Sequence, residues 1–537
     1  MPQGSRLMPR YAYEPFGYTP PPELSGKKAG RCPVAIVGAG PVGLAMAIDL
    51  ALRGVASVVL DDNDVVSIGS RAICWAKRTL EIFDRLGVGE RMVEKGVTWK
   101  IGRLFHGERE VYNFDLLPED GHKMPAFINL QQYYVEQYLV ERARDFPDLI
   151  DLRFKNKVVG VDNGAGHAVL TIDTPDGTYR LEADYLLACD GAKSFVRAAL
   201  GLDFAGKLFE ERFLIADVEL KADFPSERWF WFEPTFHPGQ SALLHKQPDN
   251  IYRIDLQLGW DADPEIEKRP QNVVPRIERV LGRRDFELDW VSVYTFQCRR
   301  LERFVHDHVI FVGDSAHVVS PFGARGGNGG IQDVDNLGWK LAAVLKGRAP
   351  SGLLGSYDDE RRRGADENMG HSSRATNFMT PKSAMEKMLR DEVLDLAGDM
   401  GFARRLVNSG RLSVPCSLAD LPLQTPSPEA VLGSGSACLD APLRRNGADT
   451  WLLDELGGDF VLLSFGEPPR IEVNDIPHVH VSRAGEGELE DVSGHAMRRY
   501  GEGLTYLIRP DQHVAAAFRA PDAAAVSSAR DRAMGNA

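Results

Sequence analysis

Residues 34–43 read Val-Ala-Ile-Val-Gly-Ala-Gly-Pro-Val-Gly, and this stretch decides the fold. An apolar run leads into the pattern G-x-G-x-x-G and an amphipathic stretch follows, which predicts a strand, a tight turn and a helix. In that turn Gly38 permits the bend, Gly40 lets the backbone approach a pyrophosphate, and Gly43 lets the helix pack close to the strand. The pattern therefore predicts a dinucleotide site, which includes Pro41.

An acidic residue follows the next apolar run. Val58-Val59-Leu60 ends in Asp61, 18 residues after Gly43. An acid at the end of the second strand can bind both hydroxyls of an adenosine ribose, and its charge would repel a 2′-phosphate. Asp62 and Asp64 stand close by, so a solvated acidic loop end is the alternative interpretation of this cluster.

A second glycine-rich stretch lies some 270 residues downstream. The apolar run 309–312 leads into Gly313-Asp314, and five glycines fall between Gly323 and Gly330, after which a helical pattern begins. Such a loop at a helix N-terminus brings backbone N–H groups against an anionic ligand. Two loops so far apart in sequence predict a single ligand that is large enough to span both.

Bulk composition narrows the functional classes. A chain of 537 residues is too long for one core and suggests roughly two to four domains. The net charge of −14 argues against nucleic acid and anionic membranes as partners. The six cysteines form no C-x-x-C pair, which favours reduced thiols, and no apolar run reaches the roughly 18–20 residues that span a bilayer. We expect a cytoplasmic protein without stable membrane association.

Hydrophobic patterning divides the chain into segments of an α/β fold with an α+β insert. Residues 67–95 and 130–145 are predicted to be helical, and the dense aromatic residues of the insert either pack a core or wall a site for a flat apolar substrate. The segments are an N-terminal arm (1–32) that packs over a neighbour or is disordered, a Rossmann-type domain (33–202 and 298–412), an inserted antiparallel-sheet substrate domain (203–297), a linker (413–440) and a compact α/β domain (441–537).

A third motif, Asp190-Gly-Ala-Lys-Ser-Phe-Val-Arg197, matches D-G-x-x-S-x-V-R. Alone, it is compatible with an Asp-Gly turn capped by Ser194. With the loop at 38–43 and the pair Gly313-Asp314, it resembles in order and spacing the three-motif set of the class A flavoprotein monooxygenases, the aromatic ring hydroxylases. The resemblance covers roughly residues 33–400 and identifies the first domain as an FAD-binding domain.

The C-terminal segment resembles the thioredoxin-like domain of the phenol hydroxylase branch. Residues 441–537 lack the C-x-x-C of a working thioredoxin. We therefore expect this domain to be structural or oligomer-forming, which leaves a homodimer open.

The resemblance also implies roles for individual residues. Arg71 resembles the arginine that lies beside the cofactor, with a surface salt bridge as the alternative, and Gln132 resembles a flavin-contacting glutamine, with Gln131 in its place if the register slips. The remaining implied FAD contacts are Gly38, Gly40, Pro41 and Gly43 at the pyrophosphate, Asp61 at the adenosine ribose, Asp190 at the pyrophosphate and nicotinamide region, and Gly313 with Asp314 at the ribityl chain.

At the isoalloxazine end, the resemblance implies that the carbonyl of Pro321 lies close to the flavin. A helix that begins near Gly330 would point its N-terminus at flavin N1, with Gly326, Gly327 and Asn328 in the loop before it. Arg325 departs from the pattern around it and bears either on substrate charge or on flavin position. His317 is expected to be a buried, hydrogen-bonded residue rather than a catalytic one.

The implied activity is an FAD-dependent hydroxylation of a small aromatic substrate, a phenol, that consumes NADH or NADPH and O2. By the same resemblance the oxygen is transferred from a flavin C4a-hydroperoxide, and no metal is required. A residue that helps to deprotonate the phenol is expected in the inserted sheet. Its candidates are His237, His245, Tyr252 and Tyr294, of which His245 and Tyr252 join Pro321 and Arg325 as the proposed catalytic set.

Three alternatives remain at this point. One is a polyketide-type aromatic hydroxylase, and another is a different FAD oxidoreductase or a halogenase on the same fold. Trp229-Phe-Trp231 is only superficially similar to the W-x-W-x-I segment of halogenases. The third is an FAD-bound structural or sensor protein whose C-terminal domain recruits partners.

Overall fold

The fold is that of a computed structural model of the full chain. It describes residues 11–26, 31–164, 166–222, 224–259, 261–320, 323–407, 414–469, 471, 473 and 475–536. Pro321 lies outside the described residues, so its role stays a prediction.

The first part of the chain alternates strands and helices. Its strands are β1 (Cys32–Val37), β2 (Ser57–Leu60), β3 (Cys74–Ala76), β4 (Val97–Trp99), β5 (Ile101–His106), β6 (Arg109–Asp115), β7 (Phe127–Asn129), β8 (Ile150–Arg153), β9 (Lys157–Gly164), β10 (His167–Thr174) and β11 (Gly177–Ala188). Its helices are α1 (Pro41–Leu52), α2 (Lys77–Arg85), α3 (Gly89–Lys95), α4 (Gln132–Ala143) and α5 (Phe195–Ala199).

Long strands follow, and then helices. The middle part contains β12 (Ala205–Glu219), β13 (Arg228–Phe232), β14 (Ser241–Lys246), β15 (Ile251–Leu258), α6 (Pro264–Glu267), α7 (Pro270–Leu281) and β16 (Glu287–Arg300). The next part contains β17 (Val305–His306), β18 (Val309–Phe311), β19 (His317–Val318), α8 (Gly326–Leu345), α9 (Leu353–Met379), α10 (Ala384–Ala397) and α11 (Gly401–Val407).

The C-terminal part is a smaller α/β unit. It contains β20 (Pro442–Arg445), β21 (Ala448–Trp451), β22 (Val461–Phe465), β23 (His478–Arg483), β24 (Leu489–Asp491), α12 (His495–Tyr500), β25 (Thr505–Ile508), β26 (Val514–Phe518) and α13 (Ala523–Ala533). Its sheet has the order β21-β20-β24-β23-β22-β25-β26. The α/β prediction is confirmed here, whereas the thioredoxin-like assignment stays a prediction.

A parallel sheet forms the centre of the first domain. Its main path is β17-β18-β11-β1-β2-β8, and the neighbours β18, β11, β1, β2 and β8 all run parallel. The strands β1, β2 and β18 are nearly continuous runs of buried apolar residues, as is typical of central parallel strands. Parallel strands end at one edge, so the residues that follow β1, β2, β11 and β18 meet there.

The second large sheet is mostly antiparallel, in the order β19-β16-β12-β15-β14-β13-β5-β6. Its long strands come from the predicted insert. The pair β5 and β6, residues 101–115, joins it from the sequence that was assigned to the first domain, and β5 runs parallel to β13. The proposed domain limits leave out this exchange because strand pairing between distant segments has no local sequence signal.

Two predicted helix limits were wrong. Helix α8 begins at Gly326 rather than near Gly330, because glycines carry no apolar periodicity that could reveal the first turn. Residues 67–73 form a loop ahead of β3, not the start of a helix, and Gly69 there has a φ of 75°. The rest of the predicted stretch 67–95 is mostly helical, as α2 and α3.

The described part of the N-terminal arm, residues 11–26, packs on its own chain. The ring of Phe16 stacks on Phe154 at a centroid distance of 4.4 Å. The Tyr13 hydroxyl accepts a hydrogen bond from the Gly69 N–H at 2.9 Å. Of the two alternatives, packing over a neighbouring part of the protein or disorder, the first describes this part of the arm.

A buried charge network joins the C-terminal unit to the first domain. Arg509 lies 2.7 Å from Glu360 on α9 and also pairs with Asp511, and Lys340 on α8 lies 2.7 Å from Glu360. All four side chains are at most 1% exposed. Burial alone would raise the pKa of Glu360, but Arg509 and Lys340 hold it well below its ordinary value. The network fixes one docking geometry for the two units.

No helix within the described ranges is long and apolar enough to cross a bilayer.

We predict that Glu360→Gln destabilises the fold strongly. The change removes the carboxylate that faces two buried cations, a loss of about 3–5 kcal/mol for a buried pair. The matched control is Asp459→Asn, which breaks the exposed pair with Arg348 (3.5 Å) and costs less than about 1 kcal/mol. Urea unfolding of the two variants measures the difference, and equal midpoints would contradict the assigned role of the network.

Candidate active site

The first glycine loop lies between β1 and α1. Two of its glycines are closely packed against other protein atoms, and the third faces open space. Gly38 has a φ of 105°, and a Cβ there would lie 2.5 Å from the carbonyl oxygen of Cys189. A Cβ on Gly43 would lie 1.9 Å from the Gly38 oxygen. A Cβ on Gly40 would meet nothing within 4 Å. Gly40 therefore faces space into which a ligand can approach the backbone at the helix N-terminus.

Asp61, at the end of β2, braces this loop. One carboxylate oxygen accepts the Ala39 N–H at 2.6 Å, and the other accepts the Asn63 N–H at 2.8 Å. Burial raises the pKa of Asp61 although these hydrogen bonds oppose the shift. The structure thus shows a structural role for Asp61, and its contact with a ribose stays a prediction.

Asp190 follows β11 at the same edge of the sheet. Its Oδ2 accepts the Val196 N–H at 3.0 Å, and its Oδ1 is buried without a hydrogen-bond partner among the described residues. Burial raises the pKa of this carboxyl group. Ser194 caps the next helix by accepting the Arg197 N–H, as the turn interpretation requires. A buried carboxylate oxygen without a partner calls for a ligand or water donor.

The Gly313-Asp314 pair follows β18, and the Asp333 side chain of α8 holds it in place from the protein interior. The carboxylate of Asp333 accepts the Gly313 N–H at 3.0 Å and contacts Nε2 of His317 at 2.6 Å. His317 is 2% exposed, so it is the buried, hydrogen-bonded residue that the sequence indicates. Its role is to hold the turn.

The Asp314 side chain points away from that support. It is accessible to solvent, and it accepts no hydrogen bond from the described residues. Protein nevertheless surrounds it, so desolvation raises its pKa, while the charges of His317 and Arg71 oppose the shift. An unsatisfied carboxylate in an interior cleft fits the hydroxyl groups of a ligand.

Arg71 lies on the loop 67–73, which is held from several sides. The Glu136 carboxylate accepts the Ser67 N–H at 2.5 Å, and Oε1 of Gln132 accepts the Ala72 N–H at 3.2 Å. The Arg71 side chain is itself exposed, with Asp314 near enough to feel its charge. Gln132 is thus occupied in holding the loop, and its contact with a flavin stays a prediction.

The inserted sheet also binds this loop. Arg253 on β15 pairs with Asp217 on β12 at 2.7 Å and donates to the carbonyl of Ser70 at 2.5 Å. A Cβ on Gly69 would lie 2.2 Å from the indole of Trp290 on β16. The position of Arg71 therefore depends on the sheet as well as on the first domain.

Helix α8 begins at the second glycine loop. A Cβ on Gly326 would meet only Val319, at an ordinary contact distance of 3.9 Å. Asn328 is 1% exposed and locks the loop to β3, because its Oδ1 accepts the Ala76 N–H and its Nδ2 donates to the Cys74 carbonyl, both at 2.9 Å. The predicted contact of Asn328 with the cofactor would have to use its backbone. A Cβ on Gly327 would lie 3.3 Å from the Trp75 ring, so this position is tight for a larger residue.

A cavity of about 860 Å³, partly open to solvent, lies between the inserted sheet and the start of α8. Its aromatic and aliphatic walls come from β5, β6, β13 and the ends of α9 and α11. Arg325 lines it and is 5% exposed, with a hydrogen bond to Asn368 at 3.0 Å. The apolar wall residues are Leu104, Phe114, Phe230, Phe232, Ala375, Phe378, Met379, Leu406 and Val407.

The other proposed catalytic side chains lie elsewhere. His245 is 3% exposed between Cys74 (4.0 Å) and Asp255 (3.8 Å), and burial lowers its pKa well below the ordinary value. Tyr252 is buried and donates its hydroxyl to the Ala222 carbonyl at 2.9 Å. Neither is among the described residues that line the cavity. Sequence reasoning placed them in the correct sheet, but it could not tell which strand faces of that sheet meet the cavity.

Tyr294 is likewise not among the described residues that line the cavity, but it contacts residues of the cavity wall. It packs against the apolar cluster that contains Leu104 and Phe232 of the cavity wall. Burial raises its pKa to about 12, with Asp314 adding to the shift. At neutral pH its hydroxyl is therefore a hydrogen-bond donor rather than a base.

The sequence matches a family model described as FAD binding domain over residues 31–372. The chain belongs to this family and is a flavin-dependent monooxygenase. The sequence-based predictions of FAD as the cofactor, of an enzyme and of an aromatic hydroxylase are confirmed.

Individual relatives agree with this membership. The monooxygenase is 32% identical to a probable NADH-specific resorcinol 4-hydroxylase of Rhodococcus jostii, over 63% of this chain and 64% of that protein. It is 26% identical to a 3-(3-hydroxy-phenyl)propionate/3-hydroxycinnamic acid hydroxylase of Escherichia coli, over 90% of this chain and 91% of that one. It also shares its fold with the flavin-dependent monooxygenase PieE, solved with FAD and substrate, at a TM-score of 0.79 and 23% identity, over 95% of this chain and 100% of that chain.

We predict that Asp314→Ala lowers the affinity of the monooxygenase for FAD by about tenfold or more, the value of a hydrogen bond to a charged group. The stability of the protein without flavin should hardly change, because Asp314 accepts no hydrogen bond from the described residues. Titration of the apoprotein with FAD measures the affinity. Asp359→Ala, at an exposed position of α9, is the control, and equal affinities in the two variants would remove Asp314 from the site.

We also predict that Gly69→Ala weakens both the fold and FAD binding. A methyl group 2.2 Å from Trp290 forces the loop that carries Arg71 to move. Gly239→Ala is a matched control, because Gly239 has nearly the same φ (74° against 75°) and open space around it. That control isolates the conformational cost of about 1 kcal/mol. Thermal unfolding and FAD titration of both variants should show the larger losses for Gly69→Ala, and equal losses would exclude the steric argument.

Proposed function

We propose that this monooxygenase hydroxylates a phenolic ring that binds in the cavity between the inserted sheet and helix α8. The observation that carries the proposal is the shared wall. Gly323 and Arg325, next to the start of α8, line the same cavity as the phenylalanines of β13 and α9. A flat apolar substrate would thus lie directly against the residues that border the predicted flavin end of the site.

The residues at the sheet edge fit FAD. The open side of Gly40, the buried Oδ1 of Asp190 and the accessible carboxylate of Asp314 would face its pyrophosphate and hydroxyl groups. When bound, FAD supplies the transfer of electrons from a nicotinamide and of oxygen to the ring.

The protein's own contribution is placement and electrostatics. Helix α8 has 20 residues, and its N-terminus carries the positive end of the helix dipole together with unpaired N–H groups. Gly323 and Arg325 bring that end to the cavity, so it would stabilise negative charge on a ring system that lies against it. The apolar walls exclude water from the reacting ring.

Tyr294 would orient the substrate. Its raised pKa keeps the hydroxyl protonated, and it stands beside Asp314 and Arg71, the residues closest to the cofactor in this proposal. A neutral tyrosine can donate a hydrogen bond to a phenolate oxygen and so favour ionisation of the phenol. His245 and Tyr252 would act only in support of the sheet.

We further propose NADH or NADPH as the co-substrate and the cytoplasm as the location. The name of the Rhodococcus jostii relative supports a nicotinamide co-substrate. The six cysteines are all free, which fits a reducing compartment. The domain limits 33–202 with 298–412, 203–297 and 441–537 belong to the same proposal.

The test is a panel of phenols assayed with the FAD-loaded enzyme. We expect that some phenols accelerate NADH or NADPH oxidation with matched O2 consumption and yield a product with one oxygen atom from labelled O2. Halide addition should make no difference. If no phenol on a broad panel, polycyclic phenols included, gives both acceleration and product, the proposed function is wrong.

A further inference from the structure

The cavity carries positive charge that the proposed hydroxylation does not itself require. Its described lining includes no Asp or Glu, although the chain as a whole has a net charge of −14. A phenol needs at most one positive group near its own oxygen, and the lining offers several. The basic residues that line the cavity are Arg103, Arg228, Arg325, His371, Arg374 and Arg405.

These arginines differ in how far the protein neutralises them. Arg103 pairs with Glu227 through Nη2 and Oε1 at 2.9 Å, and also with Glu110 at 3.1 Å. Arg374 on α9 and Arg405 on α11 are exposed, and neither has an ion-pair partner among the described residues. These two cations at the accessible side of the cavity are therefore available to a ligand.

The surroundings make that charge effective. Phe230, Phe378 and Leu406 line the same cavity as the two arginines. Apolar walls lower the local dielectric and focus the field, so a cation there attracts an anion more strongly than one on an open surface. The guanidinium group also offers two parallel N–H donors that match a carboxylate.

We infer that the substrate is an aromatic acid, a phenol that carries a carboxylate, and that Arg374 and Arg405 bind this carboxylate. The inference rests on the proposed function. The ring lies between the phenylalanines, its hydroxyl group faces the start of α8, and its acidic substituent faces the open side of the cavity. Arg374 and Arg405 are thus residues that determine specificity.

The experiment compares matched pairs of ligands on the FAD-loaded enzyme. Hydroxybenzoates, hydroxyphenylacetates and hydroxyphenylpropionates are each paired with their neutral primary amides. Dissociation constants come from changes in flavin absorbance, and kcat and KM from NADH or NADPH oxidation. For the preferred ring we expect the acid to bind at least about tenfold more tightly than the amide, and the advantage to shrink as salt is added.

Variants then locate the effect. Arg374→Met with Arg405→Met should remove most of the advantage of the acid and leave amide binding unchanged. Arg374→Lys with Arg405→Lys should keep part of it, because the charge remains while the paired donors are lost. Arg284→Met, which removes an exposed arginine at the end of the insert (84% side-chain exposure), is the control and should change neither ligand.

Each adverse outcome has its own meaning. Equal binding of acid and amide, with hydroxylation still observed, overturns this inference and leaves the proposed function standing. If no ligand of the panel is bound or oxidised, the proposed function itself fails. The anion could also be the pyrophosphate of the nicotinamide co-substrate. If the methionine variant raises KM for NADH or NADPH and leaves the affinity for the acid unchanged, the arginines serve the co-substrate and the inference is wrong.

Discussion

The carboxylate of Asp333 is the interaction on which the rest of the site depends. It lies within α8 at 0% exposure, accepts the Gly313 N–H and contacts His317, and its other oxygen accepts Nε of Arg361 on α9 at 2.6 Å. Burial alone would raise its pKa, but His317 and Arg361 keep it below the ordinary value. Leaving the buried carboxylate or one of its charged partners unpaired would cost a large part of the folding free energy. The interaction therefore holds the sheet edge, α8 and α9 in one arrangement.

That arrangement explains why the site can be open where a ligand must enter. The turn at Gly313 is bound from the interior side, so Asp314 needs no internal partner and remains available. The same applies at the first loop, where the contacts of Gly38 and Gly43 are with the protein and Gly40 faces open space. In both loops the backbone is fixed by interactions on one side and left unsatisfied on the other, as binding of an extended anionic cofactor requires.

The sequence was sufficient for the features that depend on local backbone geometry and strand order. Glycine spacing after apolar runs identified the turns at Gly38 and Gly313, and parallel pairing of β1, β2, β11 and β18 then placed their ends together. The sequence was insufficient to predict whether a polar side chain would bind the cofactor or another part of its own chain. Gln132 and Asn328 carry ligand-like amides, yet both hold backbone segments of their own chain. No local sequence pattern distinguishes an amide that binds a ligand from one that binds the protein backbone.

The cavity was missed for a related reason. Its wall combines β5, β6 and β13 with the ends of α9 and α11, segments that lie as far apart as Arg103 and Arg405 in sequence. The sequence did indicate that aromatic residues of the insert could wall a site for a flat substrate, but it did not show which of them, or which other segments, would meet there. Arg325 was singled out because it broke the family pattern, and its place in the wall now gives that departure a structural context.

The loop that carries Arg71 shows how the two large sheets depend on one another. Tyr13 of the arm and Glu136 of α4 hold it from the first domain, while Arg253 reaches Ser70 from the inserted sheet. The pairing of Arg253 with Asp217 fixes the neighbouring strands β12 and β15 to each other. A shift of the sheet relative to the first domain must therefore move the Arg71 loop or break the hydrogen bond from Arg253 to the Ser70 carbonyl. Because a hydrogen bond from a buried charged donor is costly to lose, the position of the inserted sheet and the position of Arg71 are coupled.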